Sequence, residues 1–114
     1  MNQKIHDTLT ADGWRCHDGP RLMHSECYYY KRFKTPSQCL CNSDKEGMQV
    51  VICYYTGYKG RFPSFEIEVT GEYQDGLWCK LQSYGITEDQ LLLVLPVTIK
   101  KLLAAWEAMA GGTK

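Results

Sequence analysis

The chain has 114 residues, thirteen basic and thirteen acidic side chains, and a composition that is 44% hydrophobic and 23% charged. This excludes a disordered or low-complexity chain, suits one domain over residues 1–114, and argues against holding duplex nucleic acid by bulk electrostatics. No apolar run reaches the roughly 18 residues of a membrane-spanning helix, so no membrane association is expected.

Met1-Asn2-Gln3-Lys4-Ile5-His6-Asp7 leads into neither the apolar stretch nor the cleavage site of a signal peptide, which predicts a cytoplasmic protein. Thiols stay reduced there, so six cysteines need not imply three disulfides. Cys27, Cys53 and Cys79 fall in apparent strands, where cysteine behaves as a small hydrophobe, and Cys39 and Cys41 share one side if extended.

Asn2 caps a short helix carrying Ile5 and Leu9, and Gly13 stands where a left-handed C-terminal cap belongs, with Trp14 folding back. Residues 16–21 have no period and strong turn residues, which predicts a loop. Residues 26–34 are aromatic-rich and predict a strand with Cys27, Tyr29 and Phe33 on one side and Tyr28, Tyr30, Arg32 and Lys34 on the other. After Pro36 a short strand at 38–41 turns through residues 42–47 into residues 48–56, apolar on both sides as in a central strand. Residues 57–63 form the next loop.

In residues 64–83, Phe65, Ile67, Val69, Gly71 and Tyr73 alternate with Glu66, Glu68, Thr70 and Glu72. A two-residue hairpin loop at Asp75-Gly76 would turn Leu77, Cys79 and Leu81 outward with the glutamates. A three-residue loop instead sets Tyr73 opposite Leu77, Gly71 opposite Cys79 and Val69 opposite Leu81, with Gly76 in a left-handed position. The apolar face selects the longer loop. On the outer face Glu72 then lies opposite Trp78, Thr70 opposite Lys80, and Glu68 opposite Gln82.

Thr87 and Gln90 form a capping box, the run Leu91 to Leu95 predicts a buried turn, and Pro96 starts or kinks a second helix. Ile99, Leu102, Leu103, Trp106 and Ala110 form its stripe. The sum is an α+β, single two-layer domain: an antiparallel sheet of four to five strands flanked by an N-terminal helix and a C-terminal helical segment. The C-terminal helix should cross the face made by Phe65, Ile67, Val69, Leu81 and Phe33. An all-β barrel with a terminal helix is the alternative.

The motifs of nucleotide-binding, phosphate-loop, zinc-protease and hydrolase chemistry are missing, and no cofactor is expected. Cys16, His17, His24 and Cys27 are zinc-type ligands, but their spacings match no structural zinc site. Cys16 beside His17 and Asp18 has the residue types of a nucleophile, yet neighbours in a chain rarely face each other productively. Tyr28, Tyr30, Arg32 and Lys34, with Lys59 and Arg61 in a nearby loop, could stack and track a single-stranded nucleic acid. Against this, Glu66, Glu68 and Glu72 on the same outer face would repel phosphates.

Tyr28, Tyr30, Arg32, Tyr55, Trp78 and Lys80 are the residue types that dominate protein interfaces. The charge also divides: residues 1–63 hold nine basic and six acidic groups, residues 64–114 four and seven. Such a division suits oriented docking or self-association. The residues therefore predict a small non-enzymatic module that binds an unidentified protein through a tyrosine-rich sheet face. Small motif-free domains of this kind are often accessory or inhibitory proteins, including those of phages and mobile elements.

Overall fold

The structure, a computed structural model, describes residues 3–18, 25–33, 48–55, 63–72 and 78–111. Helix α1 spans Gln3–Ala11, and strands β1 to β5 span Arg15–Asp18, Ser25–Phe33, Met48–Tyr55, Ser64–Glu72 and Trp78–Ile86. Helix α2 spans Glu88–Gly111. The strands form one antiparallel meander in the order β1-β2-β3-β4-β5. This is the α+β two-layer arrangement, with both helices contributing to one core on the inner face of the sheet.

Ile5 and Leu9, one turn apart, are the buried residues of α1. The helix ends as its sequence dictates. Gly13 adopts φ of 92°, its N–H donates to the Thr10 carbonyl at 3.2 Å, and the Trp14 N–H reaches back to the Leu9 carbonyl at 3.0 Å. This pair of bonds is a Schellman cap. Lys31 of β2 ties the helix end to the sheet, donating to the Asp12 carbonyl oxygen at 2.6 Å, with the Asp12 carboxylate 3.5 Å away. A Cβ on Gly13 would lie 3.8 Å from the Lys31 side chain, an ordinary contact, so substitution meets conformational rather than steric resistance. Gly13→Ala is expected to cost about 1–2 kcal/mol in denaturant unfolding, from the left-handed backbone alone. A loss near zero would show that the cap is dispensable.

Residues 16–18, expected as loop from their turn residues, belong to strand β1. Arg15 pairs with Tyr30 and Asp18 with Cys27. A four-residue edge strand burying little has no usable hydrophobic period; pairing with β2 determines its form. The rest of that expected loop, the Asn2 cap, the strand at 38–41 and its turn, and most of the 57–63 loop lie outside the described residues.

Central strand β3 is buried along six of its eight residues, as its two-sided apolar run requires. The β4–β5 register is that of the three-residue loop: Gly71 faces Cys79, Val69 faces Leu81, Thr70 faces Lys80, Glu68 faces Gln82 and Glu72 faces Trp78. The Tyr73–Leu77 pairing and Gly76 lie outside the described residues. Further along, Ile67 pairs with Ser83 but Phe65 with Ile86, so β5 carries an extra residue. Gly85, at φ of 77°, supplies the left-handed step of that bulge.

Thr87 precedes α2 and its N–H donates to Gln90 Oε1 at 3.4 Å, half of the expected capping box. One helix then runs through Pro96, where two were expected. Proline removes the bond to the Leu92 carbonyl, but Pro96 is exposed, on a side where water can take that carbonyl. The buried stripe Leu91, Leu95, Ile99 and Trp106 keeps its phase across the proline. The run from Leu91 to Leu95 is not uniformly buried, since Leu93 is 80% exposed. A helix on one sheet face hides only one side. Phe65, Ile67 and Val69 complete the core beneath it, with Phe33 and Leu81 at its margin.

Candidate outer-face binding site

Strand alternation sends Tyr29 and Cys27 into the core and Tyr28, Tyr30 and Arg32 to the outer face. Tyr30 lies between Arg15 on β1 and Val51 on β3, Tyr28 between His17 and Cys53, and Arg32 opposite Gln49. The His17 and Tyr28 rings stack at 4.8 Å and 16°, and Tyr28 meets Tyr30 at 6.0 Å. Arg15 and His17 are exposed; Tyr28, Tyr30 and Arg32 are half-buried.

At the end of this face, beside the α1 cap, lies a recess of ≈ 410 Å³. Its described lining is Gly13, Arg15, Tyr30, Lys31, Arg32 and Gln49. Arg15 and Arg32 belong to the outer-face side of this recess, whereas Lys31, alternating with Tyr30 and Arg32, turns to the α1 side. Lys31 is paired there with Asp12. Arg15 and Arg32 add planar guanidinium groups, suited to bidentate contact with carboxylate or phosphate. Arg15 was not among the expected site residues, because its segment carried no strand signal.

The far half of the outer face differs from expectation. Glu66 and Glu68 are 6% and 2% exposed, not solvated carboxylates facing a ligand. Val51, beside Glu68, and Cys53, beside Glu66, are buried as well. Glu68 pairs with Lys80, whose Nζ lies 3.3 Å from Oε2. Glu66 Oε2 accepts a hydrogen bond from the Tyr55 hydroxyl at 2.7 Å. The partners that engage the glutamates, Tyr55 and Lys80, stand on adjacent strands, a cross-strand relation that alternation along β4 does not reveal. Two expected contact residues, Tyr55 and Lys80, therefore serve these internal pairs.

Burial, and then the hydrogen bond to Glu66, push the Tyr55 phenol above its ordinary 10.0. A raised native value means the folded chain holds this proton more tightly, so the stabilisation is full below about pH 10 and declines as pH rises further. Phenolate absorbance of wild type and Tyr55→Phe should coincide up to about pH 10.5, where ordinary phenols ionise. A difference of one phenolate there would contradict the buried pairing. Glu66→Gln is expected to lower the Tyr55 value only in part, because burial, the larger cause, remains.

The other expected residues are dispersed or lie outside the description. Trp78 starts β5 opposite Glu72, with its side chain outside the described set, as are the side chains of Glu72 and Cys79. Lys34, Lys59, Arg61 and His24 are also outside it. For the zinc-type set, β1 turns His17 outward while Cys16 and Cys27 adjoin the core on the inner face. Among the described residues no three His, Cys, Asp or Glu side chains are grouped to hold a metal. Cys16, Cys27 and Cys53 are not disulfide-bonded. On the inner side, sequence reasoning also missed His6, whose Nδ1 lies 2.8 Å from the hydroxyl of fully buried Tyr29. Among the described residues no helix is long and apolar enough to cross a membrane. No protein-family model, curated protein or solved structure matches this chain.

Proposed function

We propose that the protein is a non-catalytic binding module that docks an acidic segment of a partner protein at the β1–β2 end of its outer face. The observation carrying this reading is the recess at that end of the sheet, lined by Arg15, Tyr30 and Arg32. Arg15 and Arg32 engage carboxylates, while Tyr28 and Tyr30 supply rigid apolar contact at low entropic cost. Withdrawal of Glu66 and Glu68 into internal pairs removes the nearest described carboxylates of β4 from that surface.

A single-stranded nucleic acid would use the same tyrosines, but it needs cations spread along the path of its backbone. Among the described outer-face cations, Arg15 and Arg32 lie at one end and Lys80, on the far strand, is paired with Glu68, with Val51, Cys53 and the glutamates buried between them. Net charge is also zero. A compact cationic spot with adjacent aromatics suits a protein segment better.

Calorimetric titration with a short Asp/Glu-rich peptide containing one aromatic residue tests this. Binding is expected to weaken about 5–30-fold for Arg15→Glu and for Arg32→Glu, an effect of roughly 1–2 kcal/mol each. Tyr30→Ala should weaken it comparably. Absence of peptide binding alongside salt-sensitive binding of oligothymidylate would overturn the protein reading in favour of nucleic acid.

A further inference from the structure

We propose that the exposed side of α2 joins two copies of this chain in an antiparallel, two-fold-symmetric pair. The buried stripe of α2 faces the sheet, and the side turned away from it carries Asp89, Leu93, Val97, Lys100 and Ala104, all exposed. Leu93 is 80% exposed and Val97 55%. Scattered exposed apolar residues are ordinary, but these two lie one turn apart, on one side, at the centre of a graded stripe. Exposed Pro96 adds apolar surface beside them. An acidic residue stands at one end and the exposed pair Lys100-Lys101 at the other.

The order of the stripe selects both partner and direction. Reversed about residue 95, it places Asp89 of one copy against the Lys100-Lys101 pair of the other, and Leu93 against Val97. A two-fold axis makes every such contact twice, so a modest stripe yields two ion pairs flanking a doubled Leu–Val contact. A parallel pair would instead oppose Asp89 to Asp89 and the lysines to lysines. Asp89 and Lys100 are eleven residues apart, about 16 Å along the axis, a span two helices packed 8–10 Å apart can match. This surface points away from the sheet and leaves the outer-face recess free, so pairing does not depend on the docking proposal.

Sedimentation velocity of the full chain over a range of concentrations tests the pairing. The expected result is a concentration-dependent species of twice the 13.1 kDa chain mass, weakened by salt. Leu93→Glu with Val97→Glu should leave only monomer, with helicity by circular dichroism unchanged because both positions are exposed. Asp89→Lys should raise the dissociation constant about tenfold or more, and adding Lys100→Glu and Lys101→Glu should restore it. A monomer at every concentration, or a dimer indifferent to Leu93→Glu with Val97→Glu, would overturn the proposal. A dimer that answers to those substitutions but not to the charge exchange would overturn the antiparallel arrangement.

Discussion

Trp106→Ala is expected to destabilise the protein by about 3–5 kcal/mol, the cost of emptying a large aromatic site from a close-packed interior. Trp106 is fully buried at the end of the α2 stripe and belongs to the same cluster as Phe65, Ile67 and Val69. Domains of this size are stable by only about 5–15 kcal/mol, so the variant should melt roughly 10–30 °C lower. Leu93→Ala, on the same helix but on its exposed side, should change stability in the monomer by no more than about 0.5 kcal/mol. Calorimetric scans of the two variants check the orientation of α2 directly. Comparable losses at both positions would mean that the helix is rotated from the arrangement described above.

The second large effect concerns the outer face. Lys80→Ala leaves the Glu68 carboxylate, 2% exposed, without the ammonium 3.3 Å away. Stranding one member of a fully buried pair costs about 3–5 kcal/mol, but Lys80 is 39% exposed and water screens part of the field. A loss of about 1–3 kcal/mol is therefore expected. Replacing both partners, as Glu68→Met with Lys80→Met, should recover most of it, because neither charge is then stranded. Denaturant unfolding of the single and double variants forms the test, and additive losses would contradict the coupling.

The parts of the fold legible in the sequence are those where local chemistry and long-range packing agree. The α1 cap rests on one glycine in a left-handed position followed by an apolar residue. The β4–β5 register follows because a one-residue slip would turn Leu81 and Cys79 to the wrong face. The β3 run could hardly be anything but central. By contrast, β1 is a short edge whose form depends on the ladder of β2. Unbroken passage through Pro96 depends on the buried stripe keeping phase on both sides of it.

The candidate site was legible only in part. Alternation along β2 placed Tyr28, Tyr30 and Arg32 together. No pattern within one strand reveals that Arg15 stands beside Tyr30, since that neighbour comes from the β1–β2 register. Nor does it reveal that Tyr55 and Lys80 are engaged by Glu66 and Glu68. These relations are cross-strand, and they narrow a face-wide expectation to one end of the sheet.

Docking at that end is tested most directly by following backbone amide resonances as the Asp/Glu-rich peptide is added, with oligothymidylate in a parallel titration. Saturable shifts are expected at residues 13–17 and 28–33, absent in the Arg15→Glu/Arg32→Glu variant and with little change along α2. Peptide-induced shifts centred elsewhere, or saturation by the oligonucleotide while the peptide leaves these amides unmoved, would contradict docking there.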